Sequence, residues 1–301
     1  MRSLLFVPAD SAKKLAKAAD SGADALILDL EDSVAPDRKV EARRIAADFI
    51  ARRREGGPKL FVRINGLRSG VAEGDLLAIM PARPDAIMLP KAVGGRDVMR
   101  LSAKLNLHEA RLERPEGSTR VVAIVTESAA GVLEAGTFAH AGPRLLGMAW
   151  GAEDLSADLG ARDTRDASGS YSDPFRLARS MTLLGAAAAG VAAIDTVYID
   201  FHDEPGLKAE SLAAERDGFS AKMAIHPQQI PVINAAFTPS AEAIEEARRI
   251  VAAFAQSPGA GVLSIGGRMV DRPHLLRAER TLSRAPIPAP GTVNVRASET
   301  E

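Results

Sequence analysis

The 301-residue chain contains no cysteine. Disulfides, thiolate metal ligands and a cysteine nucleophile are therefore excluded, and the composition suits a reducing cytoplasm. Aromatic residues make up only 4%, with one Trp, so the core must rest on Ala, Leu, Val and Ile, a composition that favours helices packed on a parallel sheet. Neither sign of charge is in surplus: 38 Lys and Arg stand against 39 Asp and Glu, a net charge of −1. No nucleic acid or anionic membrane partner is expected from such a balance. No apolar run reaches about 18 residues, and the start, MRSLLFVPADSAKK, has too short an apolar run for a signal sequence. No GxGxxG or GxxxxGKS/T segment opens a helix, which removes the usual nucleotide-binding readings.

What is present is alternation. Short apolar runs at 4–7, 25–30, 59–64, 86–89, 120–126, 145–149, 193–198 and 222–225 are separated by helix-like segments such as SAKKLAKAA, 38–54, 96–107, AAGVLEAGTFAHA and PFRLARSMTLLGAAAAG. Eight strands alternating with helices predict a TIM (β/α)8 barrel over 1–237; an open doubly wound sheet is the alternative. Beyond it, PSAEAIEEARRIVAAFAQ reads as a helix, GVLSIGGRMVD as a hairpin turning on Gly266 and Gly267, and Pro273 as the start of another helix. This C-terminal helical and hairpin segment spans 238–285, and the Pro-rich, polar stretch 286–301 has the character of a disordered tail.

The stretch LILDLEDSVAP sets Asp29, Glu31 and Asp32 at the end of an apolar strand, with Asp29 and Glu31 on one face by alternation. At the carboxyl ends of barrel strands, where active sites form, the same count adds Arg63 (with Phe61 and Asn65), Lys91, Glu127 in phase with Ala123, and Asp154 in the Gly-bearing loop WGAEDLSADLG. Asp29, Glu31, Glu127 and Asp154 against Arg63 and Lys91 leave an excess of two negatives. Buried carboxylates must be paired or bind metal, and oxygen donors without Cys or a His pair favour Mg²⁺, or Mn²⁺, over zinc. Glu127 and Asp154 are the candidate ligands because they end neighbouring strands. An acid after a strand is also a common helix cap, Arg63 and Lys91 could be structural ion-pair partners, and Asp29, Glu31 and Asp32 could form a strand-end network. His108 and His140 fall in helical segments as surface or packing residues; His202 and His226 lie close enough to the last two strands to reach the mouth.

The segments RSLLFVPA, DALILDLEDSVAPDRK, FVRIN, IMLPK, VTESAAG, GAEDLSADLG and GFSAKMAIHPQQIPVIN, in that order over residues 2–285, resemble the HpcH/HpaI aldolase and citrate lyase family, in its stand-alone β-subunit-like branch near malyl-CoA and citramalyl-CoA lyases. The resemblance implies a TIM barrel that uses Mg²⁺ to make or break a carbon–carbon bond between a 2-oxo acid and an acyl-CoA enolate. It implies Glu127 and Asp154 as metal ligands and Arg63 against substrate and enolate oxygen. It also implies a homo-oligomer, trimer or hexamer, in which the C-terminal segment is a lid over a neighbouring subunit and Asp271 of GGRMVDRP is catalytic. Lys17 matches a basic position that contacts CoA, while Lys13 and Lys14 lie nearby. Malyl-CoA lyases tend to carry Arg in a FVPGxRP pattern where this chain has FVPADSA with Ser11.

On this basis the expected substrate is a 3-hydroxy-3-carboxyacyl-CoA, its carboxylate gripped by backbone N–H groups of Gly151, Ala152, Glu153 and Asp154. Arg63 would stabilise the enolate, and Asp271, with a pKa raised by lid closure, would exchange the proton. Asp29, Glu31, Asp32 and Lys91 would surround and orient the metal's waters. The rivals are an acyl-CoA thioesterase using the same site and a non-catalytic metabolite-binding protein. The latter should have lost Glu127, Asp154 or Arg63, and all are present.

Overall fold

The computed structural model describes residues 1–286; the expected disordered tail lies, from 287 onward, outside the described residues. Eight parallel strands, β1 (Ser3–Pro8), β2 (Ala25–Asp29), β3 (Lys59–Arg63), β4 (Ala86–Leu89), β5 (Arg120–Ile124), β6 (Leu145–Ala149), β7 (Ala192–Asp195) and β8 (Ala221–Ala224), pair in sequence order. The ring closes where Ser3, Leu4 and Leu5 pair with Lys222, Met223 and Ala224. That pairing excludes the open doubly wound sheet.

The strands alternate between two cores. Leu4, Ile27, Phe61, Met88, Val122 and Ile194 fill the barrel interior, while Leu5, Leu28, Val62, Leu89 and Met148 face the helices. Small side chains at Ala25, Ala86, Ala149 and Ala221 make the interior compact, as a closed parallel barrel with a filled centre requires.

The helices are α1 (Ala12–Ala19), α2 (Lys39–Ala51), α3 (Ala72–Ile79), α4 (Gly95–Arg111), α5 (Ala129–Leu133), α6 (Ala152–Leu159), α7 (Asp173–Ala189), α8 (Glu204–Asp217) and α9 (Gln229–Phe237). Several elements depart from the sequence expectation. The segment expected as a Gly-bearing loop is the helix α6, ended by Gly160 in the left-handed region at φ 67°. The seventh strand stops at Asp195, short of the expected 198, and the helix α8 precedes β8. The signals for α8 are in the sequence: Asp203 caps it by accepting the Gly206 N–H at 3.0 Å, a Pro sits in the first turn, and Gly218 ends it. The run AAGVLEAGTFAHA is not one helix; α5 stops at Leu133 and a 3-10 turn covers Ala135–His140.

By its internal contacts the chain divides into two compact units, Met1–Phe237 and a second from Thr238. In the second, α10 (Ala241–Gln256) and α11 (Arg272–Ser283) pack together, and β9 (Val262–Ile265) pairs antiparallel with β10 (Arg268–Asp271). The two-residue turn between these strands has φ 58° at Gly266 and 78° at Gly267, a conformation that glycine adopts without strain. Among the described residues no helix is long and apolar enough to cross a membrane.

The amino end of the barrel is held by a buried ion pair. Arg144, just before β6, donates to Glu109 of α4 and to the Thr119 carbonyl at 2.8 Å, and Glu109 also accepts the Gly117 and Thr119 N–H groups at 2.9 and 2.8 Å. Replacing Arg144 with Met leaves a buried charge unpaired, so Arg144→Met is expected to lose about 3 kcal/mol of unfolding free energy in urea titrations.

Candidate active site

At the opposite, carboxyl end of the strands lies a cavity of about 340 Å³. Its wall takes Asp29 from β2, Arg63 from β3, Glu127 beyond β5, and Gly151, Ala152, Glu153 and Asp154 at the start of α6. Glu31, Asp32 and Lys91 line an adjoining cavity of about 350 Å³ together with Asn65, Arg68 and Asp97. A larger groove of about 710 Å³ runs outside the barrel past Leu15, Phe49 and Arg52, without the convergent carboxylates.

Asp29 and Arg63, paired in register across β2 and β3, form the base of the site. Two guanidinium N–H groups of Arg63 donate to the two Asp29 oxygens at 2.7 and 2.6 Å. Asp29 also accepts the N–H groups of Glu31 and Ser33 at 2.9 and 3.2 Å. Burial would raise this carboxyl, but the Arg63 bonds and charge outweigh it and hold Asp29 below its usual range. With four donors on its oxygens, Asp29 is committed to Arg63 and the turn after β2. Arg63 in turn lies 4.8 Å from the Phe6 ring centre and 3.1 Å from Glu31.

Lys91 is the second cation. Its ammonium is 2.8 Å from Glu31 and 3.4 Å from both Asp32 and Asp154. Its backbone is left-handed at φ 53°, a costly conformation for a residue with a side chain, and this turn aims the Lys91 N–H at the Glu127 carboxylate. The turn after β2 is braced by Lys39, whose ammonium bonds the Leu30 and Glu31 carbonyls at 2.7 Å and Asn65 at 2.9 Å. Periodicity does not single out Lys39; its place in the DRK run is the one sequence signal that points to it.

Glu127 does not cap α5. Ser128 does, accepting the Gly131 N–H at 3.1 Å, so the Glu127 carboxyl remains available to the cavity. Nor does Glu127 share a face with Ala123: Val122 and Ile124 point into the barrel and Ala123 points out. The strand ends at Ile124, and the turn beyond it, not alternation, delivers Glu127. Burial first, then Asp154 and Glu31, push its carboxyl up to about 8. Gly151 makes room for it, since a Cβ at 151 would stand 2.8 Å from Glu127 Cγ.

Asp154 is third in α6, and its neighbours Ala152 and Glu153 are the first two residues of that helix. The expected loop of N–H groups is therefore the first turn of a helix, with N–H groups left over by the helical pattern and a positive dipole end. Five carboxylates, Asp29, Glu31, Asp32, Glu127 and Asp154, face two cations. Among the described residues no group of three or more His, Asp or Glu is arranged to hold a metal alone; two carboxylates with water and substrate completing the shell suit Mg²⁺.

Lys17, His202 and His226 are absent from the linings of both cavities, and Asp271 belongs to the second unit. Lys17 is exposed in the last turn of α1, about 7.5 Å along the helix from its start, and does not line the cavity; Lys13 and Lys14 occupy the turn nearest the carboxyl end of β1. Asp271 caps α11, with His274 Nδ1 2.5 Å from its Oδ1. That contact holds the Asp271 carboxyl below its usual range, not above it. His226 stacks on Phe201 with ring centres 4.7 Å apart, and His202 packs against the same ring tilted by 42°, with centres 4.2 Å apart.

Arg63→Met would leave Asp29 buried without its partner and Glu31 with Lys91 alone, with an expected loss of about 3 kcal/mol near neutral pH. Asp29 has its folded pKa below the unfolded value, so the pairing contributes above that value and is lost as pH falls through the lower one. The gap between wild type and variant should therefore narrow below about pH 4, as paired urea titrations would show.

The sequence pattern of the HpcH/HpaI aldolase/citrate lyase family matches residues 2–227. A (3S)-malyl-CoA thioesterase of Cereibacter sphaeroides is 37% identical over 290 residues, covering 94% of this chain and 94% of that protein. The mitochondrial citramalyl-CoA lyase of Rattus norvegicus is 36% identical over 298 residues, covering 94% and 86%. The crystal structure of CitE from Mycobacterium tuberculosis in complex with magnesium, acetoacetate and coenzyme A matches with a TM-score of 0.76 at 37% identity, covering 94% and 97%. With a closed (β/α)8 barrel, a carboxylate-rich mouth and these matches along nearly its whole length, the chain belongs to the HpcH/HpaI aldolase/citrate lyase family, a lyase family of enzymes.

Proposed function

We propose that the chain is a Mg²⁺-dependent carbon–carbon lyase that cleaves or forms a 3-hydroxy-3-carboxyacyl-CoA, such as citramalyl-CoA or malyl-CoA, with an acyl-CoA and a 2-oxo acid on the other side. The observation that carries this reading is Glu127. A buried carboxyl lifted to about 8 beside Asp154 and Glu31 calls for a cation, and oxygen donors select a hard divalent ion. Glu127 and Asp154 would hold it; Mn²⁺ suits the same donors. When bound, the ion supplies Lewis-acid polarisation of the substrate's carboxylate and hydroxyl oxygens. The CitE complex with magnesium, acetoacetate and coenzyme A supports this choice.

The protein's own groups do the rest. The first-turn N–H groups of α6 grip the substrate carboxylate. Arg63, fixed by Asp29, places positive charge where the thioester enolate oxygen forms. In cleavage, Asp271, carried by the 238–285 segment of a neighbouring subunit and ionised at the outset, takes the hydroxyl proton as the 2-oxo acid carbonyl forms; the electron pair of the broken bond becomes the enolate, and Asp271 returns the proton to the acyl carbon. In synthesis it removes that proton, a task suited by the His274 contact that keeps it ionised.

A second reading, hydrolysis of the thioester by the same groups, is favoured by the malyl-CoA thioesterase relative. Incubation with Mg²⁺ and malyl-CoA or citramalyl-CoA separates them. Acetyl-CoA with a 2-oxo acid is the expected product, free CoA would favour the thioesterase, and no turnover on a broad acyl-CoA panel would sink both. Glu127→Ala or Asp154→Ala should lower kcat/KM by about a hundredfold or more, the loss of several kcal/mol of charge stabilisation. Asp271→Asn should lower kcat by about a hundredfold. Mixed oligomers of Asp271→Ala and Glu127→Ala subunits should regain activity; confirmed mixtures that stay inactive would exclude a lid shared between subunits.

A further inference from the structure

Gly151, at the N-cap of α6, offers no side-chain hydrogen bond to the helix it starts. The residue cannot be larger, because a Cβ would stand 2.8 Å from Glu127 Cγ. The site thus needs glycine where glycine leaves the backbone softest, directly before the turn that carries Asp154. Something else must set the direction of that turn.

The residue before it is Trp150, the chain's sole tryptophan, which is fully buried. Its indole N–H donates at 2.8 Å to Asp195 Oδ1, at the end of β7. Asp195 is fully buried and faces away from the barrel interior, which its neighbour Ile194 fills. Lys222 of β8 donates to its other oxygen at 2.9 Å, and Arg179 of α7 reaches Oδ1 at 3.2 Å. Lys222 also donates to Glu210 of α8 at 2.8 Å, Glu210 accepts Arg165 at 2.6 Å, and Arg179 pairs with Asp217 at 2.8 Å.

Asp195, Glu210 and Asp217 thus meet Lys222, Arg179 and Arg165 in one cluster, with Arg216 also on Asp217 at 3.0 Å. Asp195, Lys222 and Glu210 do not line the cavity, whereas Trp150 does. Well-packed apolar side chains would stabilise a barrel at least as well as buried ions. What the ions add is direction: a carboxylate held at both oxygens by cations from β8 and α7 presents one fixed acceptor to the indole.

We propose that Asp195 and Trp150 are positioning residues, which fix the first turn of α6 and through it Asp154 and the N–H groups that face the substrate carboxylate, with Lys222 and Arg179 holding Asp195 in place. This rests on the assignment of Asp154 as a ligand. The experiment keeps the two claims apart by reading the turn itself as well as the metal.

Trp150→Phe keeps an aromatic ring and removes the donor; Asp195→Asn keeps an acceptor and removes the charge. Arg144→Lys, at the amino end of the barrel, controls for general loosening. Amide hydrogen exchange over residues 151–158 should run roughly tenfold faster in Trp150→Phe and Asp195→Asn, the loss of one buried hydrogen bond. Calorimetric titration of the substrate-free protein with Mg²⁺ alone should give roughly tenfold weaker binding. Arg144→Lys should change neither. Wild-type exchange over 151–158 in both variants, or equal acceleration in Arg144→Lys, overturns the proposal. Faster exchange with unchanged Mg²⁺ affinity overturns the link from the turn to the site. If wild type and Asp154→Ala bind Mg²⁺ alike, the metal assignment falls, and the exchange data alone decide whether Trp150 and Asp195 position α6.

Discussion

Negative charge is gathered at one end of a closed barrel faster than the protein's own cations can neutralise it, and the arrangement of the mouth follows from that imbalance. Asp29 takes both forks of Arg63. Lys91 is shared among Glu31, Asp32 and Asp154. The remaining deficit falls on Glu127, a buried acid whose proton affinity rises accordingly. A site in this condition is poised for a divalent ion, because the ion would supply the charge that the chain withholds.

The fold tolerates this because its two ends do different work. At the amino end, Glu109 and Arg144 are matched to one another and to backbone groups. At the carboxyl end, matched pairs serve to aim unmatched ones: Asp29 orients Arg63, and a left-handed Lys91 turns its N–H onto Glu127. Such separation of stability from chemistry is what parallel barrels permit, since one end can be strained while the ring of strands stays intact.

Much of this architecture is legible in the residues. The eight apolar runs, the inward phase of Ile27, Asp29, Phe61 and Arg63, and the set of acids at the strand ends all come from alternation and hydrophobic pattern. The departures share a cause, which is a local rule carried past the point where its element stops. Counting alternation beyond the end of β5 puts Glu127 on the face of Ala123, where it does not lie. The segment bearing Asp154 reads as a loop because α6 is only eight residues long and begins directly after a strand.

The residues by themselves therefore determined the class of fold and which side chains could meet, because the period of a strand and the closure of a parallel sheet are local and topological properties. Tertiary structure alone decided which of those side chains are paired and which are left wanting a cation. Whether Ser128 or Glu127 caps α5, whether Gly151 is needed for room, and whether Trp150 finds Asp195 on the neighbouring strand depend on distances that the chain sets only once it has closed on itself. Charge compensation in a buried site is set at separations of a few ångströms, and no pattern along the sequence encodes that length.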